Sequence, residues 1–247
     1  YVQIFQYNGD SFYKNLANEA ISKSLSIDPN IPVSYKAKAY IYAFNGLELN
    51  AVENFLTAIK LNPGYDEAIG ALALTYNRLG EFSLALKNSK YFYEISPKNL
   101  WAHPIIASDL WSLGEFESAI DYANEGINNF PNHRRCYAFL TDAYSFKGNE
   151  EKAKKYLNEL FKIKPHIDQH HITAARAYYL QGNYSKMKEH IDNIEIANPL
   201  FDIRAFYTVS DGLKKSTKED MKLIEERLLR EYSEKIYSKA SAFNLAV

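Results

Sequence analysis

The sequence predicts an all-α fold, a solenoid of about six helix-turn-helix repeats of 34 residues each, closed by a C-terminal capping helix. Three observations carry this reading. Pro29, Pro63, Pro97, Pro131, Pro165 and Pro199 stand 34 residues apart without a slip. Gly46, Gly80, Gly114, Gly148 and Gly182 keep the same step midway between them. Between these breakers, apolar residues recur at spacings of three and four, which places them on one face of a helix. Proline cannot continue a helix, and glycine accepts the φ > 0 geometry of a tight turn. Each unit is therefore two short helices, stacked again and again.

The first repeat (residues 1–31) lacks the comb glycine, because Phe12 stands there. Its turn reads Asn8-Gly9-Asp10, three residues early, so its second helix is expected to be about one turn longer than the others. Tyr1 falls inside what the repeat makes a helix, and the chain is expected to be a piece of a longer protein. In the second repeat (32–65), Tyr35, Ala39 and Tyr42 precede Asn45-Gly46, and Ala51, Phe55, Ala58 and Ile59 follow it. The third (66–99) has Leu72, Ala73 and Tyr76 before Gly80, then Ala85, Phe92 and Ile95. In the fourth (100–133), Leu110 replaces the tyrosine. The fifth (134–167) runs Tyr137, Leu140, Tyr144, Gly148, Ala153, Leu157 and Leu160. In the sixth (168–201) Asp168 reads as an N-cap, and Met187 stands where the others have alanine. Beyond the array, Asp202 to Gly212 reads as a degenerate seventh first helix within 202–247. Ser216-Thr217-Lys218-Glu219 is a capping-box pattern opening an amphipathic helix from about Thr217 to Ala240.

These residues resemble the tetratricopeptide repeat family. Its unit carries tyrosine at position 11, matched by Tyr42, Tyr76, Tyr144 and Tyr178, and alanine at position 20, matched by Ala17, Ala51, Ala85, Ala119 and Ala153. Position 20 is where the second helix crosses the first, and a small side chain there permits close approach. The resemblance covers residues 1 to about 201 and implies a right-handed α-α superhelix that holds partners.

Composition narrows the function. Lys and Arg number 29 against 30 Asp and Glu, a formal charge of −1, so no global field draws nucleic acid or an anionic membrane. No apolar stretch approaches a membrane span, no signal peptide is visible, and Cys136 has no disulfide partner. A reducing, cytoplasmic setting is the mild expectation. Charge is uneven along the array. Residues 100–133 hold Asp109, Glu115, Glu117, Asp121 and Glu125 with no Lys or Arg, whereas residues 134–167 hold eight basic groups against four acidic ones. Complementary neighbouring repeats explain this, as would a bipolar docking patch.

In the family, repeat positions 2, 5, 6, 9, 12 and 13 of the first helices face the concave groove. By register these include Tyr40, Phe44, Leu74, Arg78, Trp101, Ile105, Trp111, Phe139, Asp142, Phe146, Arg176 and Tyr179. Both tryptophans of the chain are in the set. Aromatic anchors dominate protein interfaces, and the expectation is a groove that takes a peptide or helix of a partner protein. The carboxylate clamp by which some family members hold chaperone tails is not matched. Its positions are Lys36, Tyr40, Ala71, Trp101 and Ile105, and only Lys36 fits.

No chemistry competes with that reading. His166, Asp168, His170 and His171 cluster, but His166 falls in a loop, so solvated histidines are expected and no metal. No phosphate-cradling loop, nucleophile elbow or cysteine pair is present, and neither a catalytic residue nor a cofactor is assigned. The near-neutral charge and strict 34-residue step argue against direct RNA binding. A second reading makes the chain a regulatory or sensory module of a larger signalling or transcription-regulator protein. The residues upstream of Tyr1 separate the two, and oligomeric state is left open.

Overall fold

The computed structural model describes residues 1–3, 11–164 and 168–193. The predicted capping helix, the seventh first helix, the Asn8-Gly9-Asp10 turn, His166, Pro165 and Pro199 lie outside the described residues. The described chain forms α1 (Ser11–Ile27), α2 (Pro32–Phe44), α3 (Glu48–Leu61), α4 (Asp66–Leu79), α5 (Phe82–Ile95), α6 (Ala102–Ser112), α7 (Phe116–Asn129), α8 (Arg134–Phe146), α9 (Glu150–Lys162), α10 (Asp168–Leu180) and α11 (Tyr184–Asp192). No strand occurs among the described residues. The fold is the all-α helical-repeat class. It divides into a first unit, Tyr1–Leu113, and a second that begins at Gly114.

The glycine comb sets the turn inside each hairpin from the second repeat onward. Gly46, Gly80, Gly114, Gly148 and Gly182 all have φ between 70° and 86°. This is the left-handed region, which a Cβ disfavours, so the period in the sequence is a period in backbone conformation. The longer second helix of the first repeat is found. α1 runs 17 described residues where α3, α5 and α7 run 14. Asn149 and Asn183 cap their helices, each side chain accepting from the backbone N–H three residues on.

In the first unit, α2 to α4 pack around Ala39, Ala51, Phe55, Ala58 and Leu72, and Ile69, Ala73, Phe92, Ala102 and Ile105 form a second cluster. Ala17 and Ile21 of α1 meet Ile41. The crossing alanines behave as the pattern requires, with Ala17, Ala51 and Ala85 all buried. The core compensates volume within the repeat. Phe92 stands where Ala58 stands one repeat earlier, and it reaches its place because the facing residue of α4 is Gly70. A Cβ on Gly70 would lie 2.9 Å from Cε1 of that ring.

In the second unit, Ala138, Leu157, Leu160 and Ala174 form one cluster, and Ile172, Ala175, Met187 and Ile191 another. Ala119 and Ala153 are buried at the crossing position, and so is Met187, which fills the same site in the shorter helix α11. Tyr144 stacks on Tyr156 with centroids 5.6 Å apart and planes within 6°. Cys136 is fully buried and burial pushes its thiol up to about 12, so it is an inert core residue.

Candidate partner-binding surfaces

The first helices carry the residues that register assigned to the groove, and each unit presents its own set. In the first unit, Tyr40 is half-buried against Phe55, ring edge to face with centroids 5.3 Å apart, and burial raises its phenol. Phe44, Leu74 and Trp111 are also half-buried. Trp101 heads α6 and is 43% exposed. Ile105 corrects the expectation. It is 4% exposed and belongs to the core with Ile69 and Phe92, so it lines no open surface. The physical reason is local packing and not register, since Ile105 sits in the cluster of Ile69, Ala73, Phe92 and Ala102, whereas Phe139 at the same repeat position is half-buried.

Two charge pairs of the first unit join neighbouring repeats. Lys36 of α2 pairs with Glu67 of α4 and lies 4.8 Å over the Tyr65 ring. Arg78 is exposed, and its Nε stands 3.9 Å from Glu48 Oε1, whose carboxyl is raised by burial. Asn77 donates to Asp109 Oδ1 at 2.8 Å and to Ser112 Oγ at 3.1 Å. Asp109 is fully buried, and desolvation pushes its carboxyl up to about 6 although Ser89 and Asn77 hydrogen bonds pull it down.

In the second unit, Asp142 of α8 and Arg176 of α10 occupy the same repeat position and form a forked pair, with Nε donating to Oδ1 at 3.3 Å and Nη2 to Oδ2. Desolvation raises the Asp142 carboxyl and the guanidinium opposes it. Phe139 and Tyr179 are half-buried beside them, and Tyr179 packs on Tyr184 at 6.1 Å. Phe146 ends α8 at 63% exposure, tilted against Phe116 at 6.1 Å. Leu180, at the same repeat position one unit later, is 49% exposed. The acidic and basic repeats meet here, since Lys147 Nζ binds Glu117 Oε1 at 2.5 Å and Tyr156 donates to Asn124 Oδ1 at 3.0 Å. This is the complementary-neighbour arrangement.

Sequence reasoning missed two features. The Glu48–Arg78 contact joins a second helix to the next first helix, so no single-helix periodicity contains it. The histidine pair His171–His190 stands 19 residues apart. The signal was present in the repeat itself, because Tyr137 and Tyr156 occupy the same two positions and also pack together. Among the described residues no group of three or more His, Cys, Asp or Glu could hold a metal, and no helix is long and apolar enough to cross a membrane.

The sequence profile of the tetratricopeptide repeat matches residues 135–167, which is the fifth repeat nearly end to end. A tetratricopeptide repeat protein of Thermus thermophilus superposes with a TM-score of 0.67 at 19% identity, over 72% of this chain and 98% of that one. One from Parabacteroides merdae gives 0.64 at 16% identity, over 86% and 77%. The Cut9–Hcn1 hetero-tetramer of the APC/C gives 0.70 at 13% identity, over 99% of this chain and 47% of that one. The matched repeat, the glycine turns at one period and the buried alanines at each crossing agree: residues 135–167 match a tetratricopeptide repeat, and the chain shares the helical-repeat fold of these tetratricopeptide repeat proteins.

Proposed function

We propose that the chain is a protein-interaction scaffold without catalytic activity, and that the first-helix face of its second unit takes an extended or helical segment of a partner protein. The observation that carries this is the pair Phe146 and Leu180, large apolar side chains 63% and 49% exposed at one repeat position on consecutive first helices. Next to them stands the Asp142–Arg176 fork, which offers a polar edge beside apolar anchors. Large exposed apolar side chains grouped with a polar rim are the usual composition of an interaction site. In the first unit, Trp101 is the corresponding exposed anchor. The similar chain of the Cut9–Hcn1 structure was solved within a hetero-tetramer, an instance of a protein of this fold in a complex with another chain. The balanced charge supports a protein partner over nucleic acid, and the lone buried cysteine accords with a cytoplasmic setting.

The test uses the full chain as cross-linking bait, followed by titration of synthetic peptides spanning the recovered partner's contact segment. Phe146→Ala and Leu180→Ala should each weaken binding about tenfold or more, the loss expected of truncated interface anchors. Unchanged binding to both variants, together with loss in Leu49→Ala/Leu56→Ala on α3, would move the site to the second-helix face and overturn the proposal.

A further inference from the structure

The fifth and sixth repeats fill the same three packing positions with different chemistry. In the fifth, Tyr137, Tyr144 and Tyr156 form the set, with Tyr156 against both other rings. In the sixth the residues are His171, Tyr178 and His190. Tyr178 stacks on His190 at 5.6 Å with planes within 10°, as Tyr144 stacks on Tyr156. The ring packing is kept and two phenols have become imidazoles. Their Nδ1 atoms stand 3.1 Å apart, and the ring centroids 5.3 Å. With a ring radius of about 1.1 Å, these separations aim the two nitrogens almost directly at each other, which is hydrogen-bond geometry.

We infer that the His171–His190 pair is a pH-sensitive latch that holds α11 against α10 and releases it on acidification. When the rings are in opposite tautomers, one Nδ1–H donates to the other Nδ1. A first proton keeps the bond, because an imidazolium Nδ1–H still meets an open lone pair. A second proton puts a hydrogen on both facing nitrogens, and the contact becomes repulsive.

The surroundings favour the latched state. From α9, Phe161 presents an uncharged ring to both imidazoles at 5.6 Å, with buried His170 on its other contact. Within the hairpin, Lys186 stands 5.1 Å over Tyr178, and Lys186 and Glu189 act on His190 with opposite signs. Burial first and His171 second depress the His190 imidazole below its ordinary value. Below pH ~6.5 the unfolded segment therefore takes up protons that the packed one refuses, and stability falls as pH drops toward the depressed value. Release would open the seam between Ile172 and Ala175 of α10 and Met187 and Ile191 of α11.

The repeat supplies its own control, because His171→Tyr/His190→Tyr restores the residues that pack in the fifth repeat. Hydrogen exchange of the full chain, corrected for intrinsic rates, should show protection across 168–192 falling at least tenfold from pH 7.5 to 5.0 in the parent. Protection in α8 and α9 should hold, and in the double variant both hairpins should hold. Equal pH dependence in parent and variant, or none in the parent, overturns the latch. Should the double variant fail to fold, long-range 1H–15N spectra of the parent decide. Linked titrations with the second proton well below the ordinary histidine value support the latch, and two independent titrations near that value overturn it.

Discussion

The sharpest test of the core is Gly70→Ala. In an exposed helix this change stabilises by ~1 kcal/mol, because alanine loses less backbone freedom. Here the new methyl would meet Phe92 at 2.9 Å from Cε1, 3.0 Å from Cδ1 and 3.2 Å from Cζ. The ring is 1% exposed and packed by Ile69, Ala73, Ala102 and Ile105, so it cannot swing aside. Overpacking of this kind costs ~1–3 kcal/mol. The net effect should be a loss of ~1 kcal/mol, a reversal of the helix-propensity sign. Phe92→Leu removes the offending ring edge, and in that background Gly70→Ala should recover its gain of ~1 kcal/mol, giving a coupling of ~2 kcal/mol. Urea unfolding read by circular dichroism gives the totals. Because repeat arrays unfold by nearest-neighbour steps, hydrogen exchange in α4 and α5 should locate the change. Equal stabilisation by Gly70→Ala in both backgrounds would refute the claim that glycine is there to admit the phenylalanine.

Two further predictions concern carboxyls that desolvation raises. Asp109 has a folded value raised to about 6, so its contribution is complete below pH ~3.9 and is lost as pH rises through 6. Asp109→Asn keeps an acceptor for Asn77, and should remove that slope and raise stability at pH 7 by up to ~2 kcal/mol in pH-dependent urea titrations. For Asp142, Arg176→Gln removes the opposing cation and leaves desolvation in force, so the carboxyl climbs further. The variant should lose ~1–2 kcal/mol at pH 7 and recover part of it as pH falls toward the ordinary aspartate value, because the folded carboxyl takes up its proton before the unfolded one does. A pH-independent deficit would mean that the guanidinium acts there by packing alone.

Legibility followed from what the backbone demands. The glycine comb could be read because φ > 0 is a local requirement, and the expected longer second helix of the first repeat is matched by the 17 residues of α1. The crossing alanines could be read because close approach of two helices excludes anything larger, except where α11 accepts Met187. Groove membership was harder. The repeat register places a residue on a helix but does not say how closely the next repeat covers it. Ile105 and Phe139 share one register position, yet one is core and the other half-buried. Nor could register reveal the partners of Arg78 or Asp109, which are set by side chains 30 and 32 residues away.

That last class of contact explains how an array of near-identical units acquires individual properties. The recurring backbone puts residue n beside residue n + 34 or close to it, so a polar pair costs one substitution in each of two repeats. Lys36–Glu67, Asn77–Asp109 and Asp142–Arg176 all follow this rule, with separations of 31, 32 and 34 residues. The same economy acts within a hairpin, where positions 4, 11 and 23 meet in both the fifth and the sixth repeat. Tyrosines there give the fifth repeat a stacked, pH-indifferent core. Two histidines at those positions leave the packing intact and make the sixth answer to protons. The fold supplies the geometry once, and substitution at fixed positions gives each repeat its own polar pairs and ring packing.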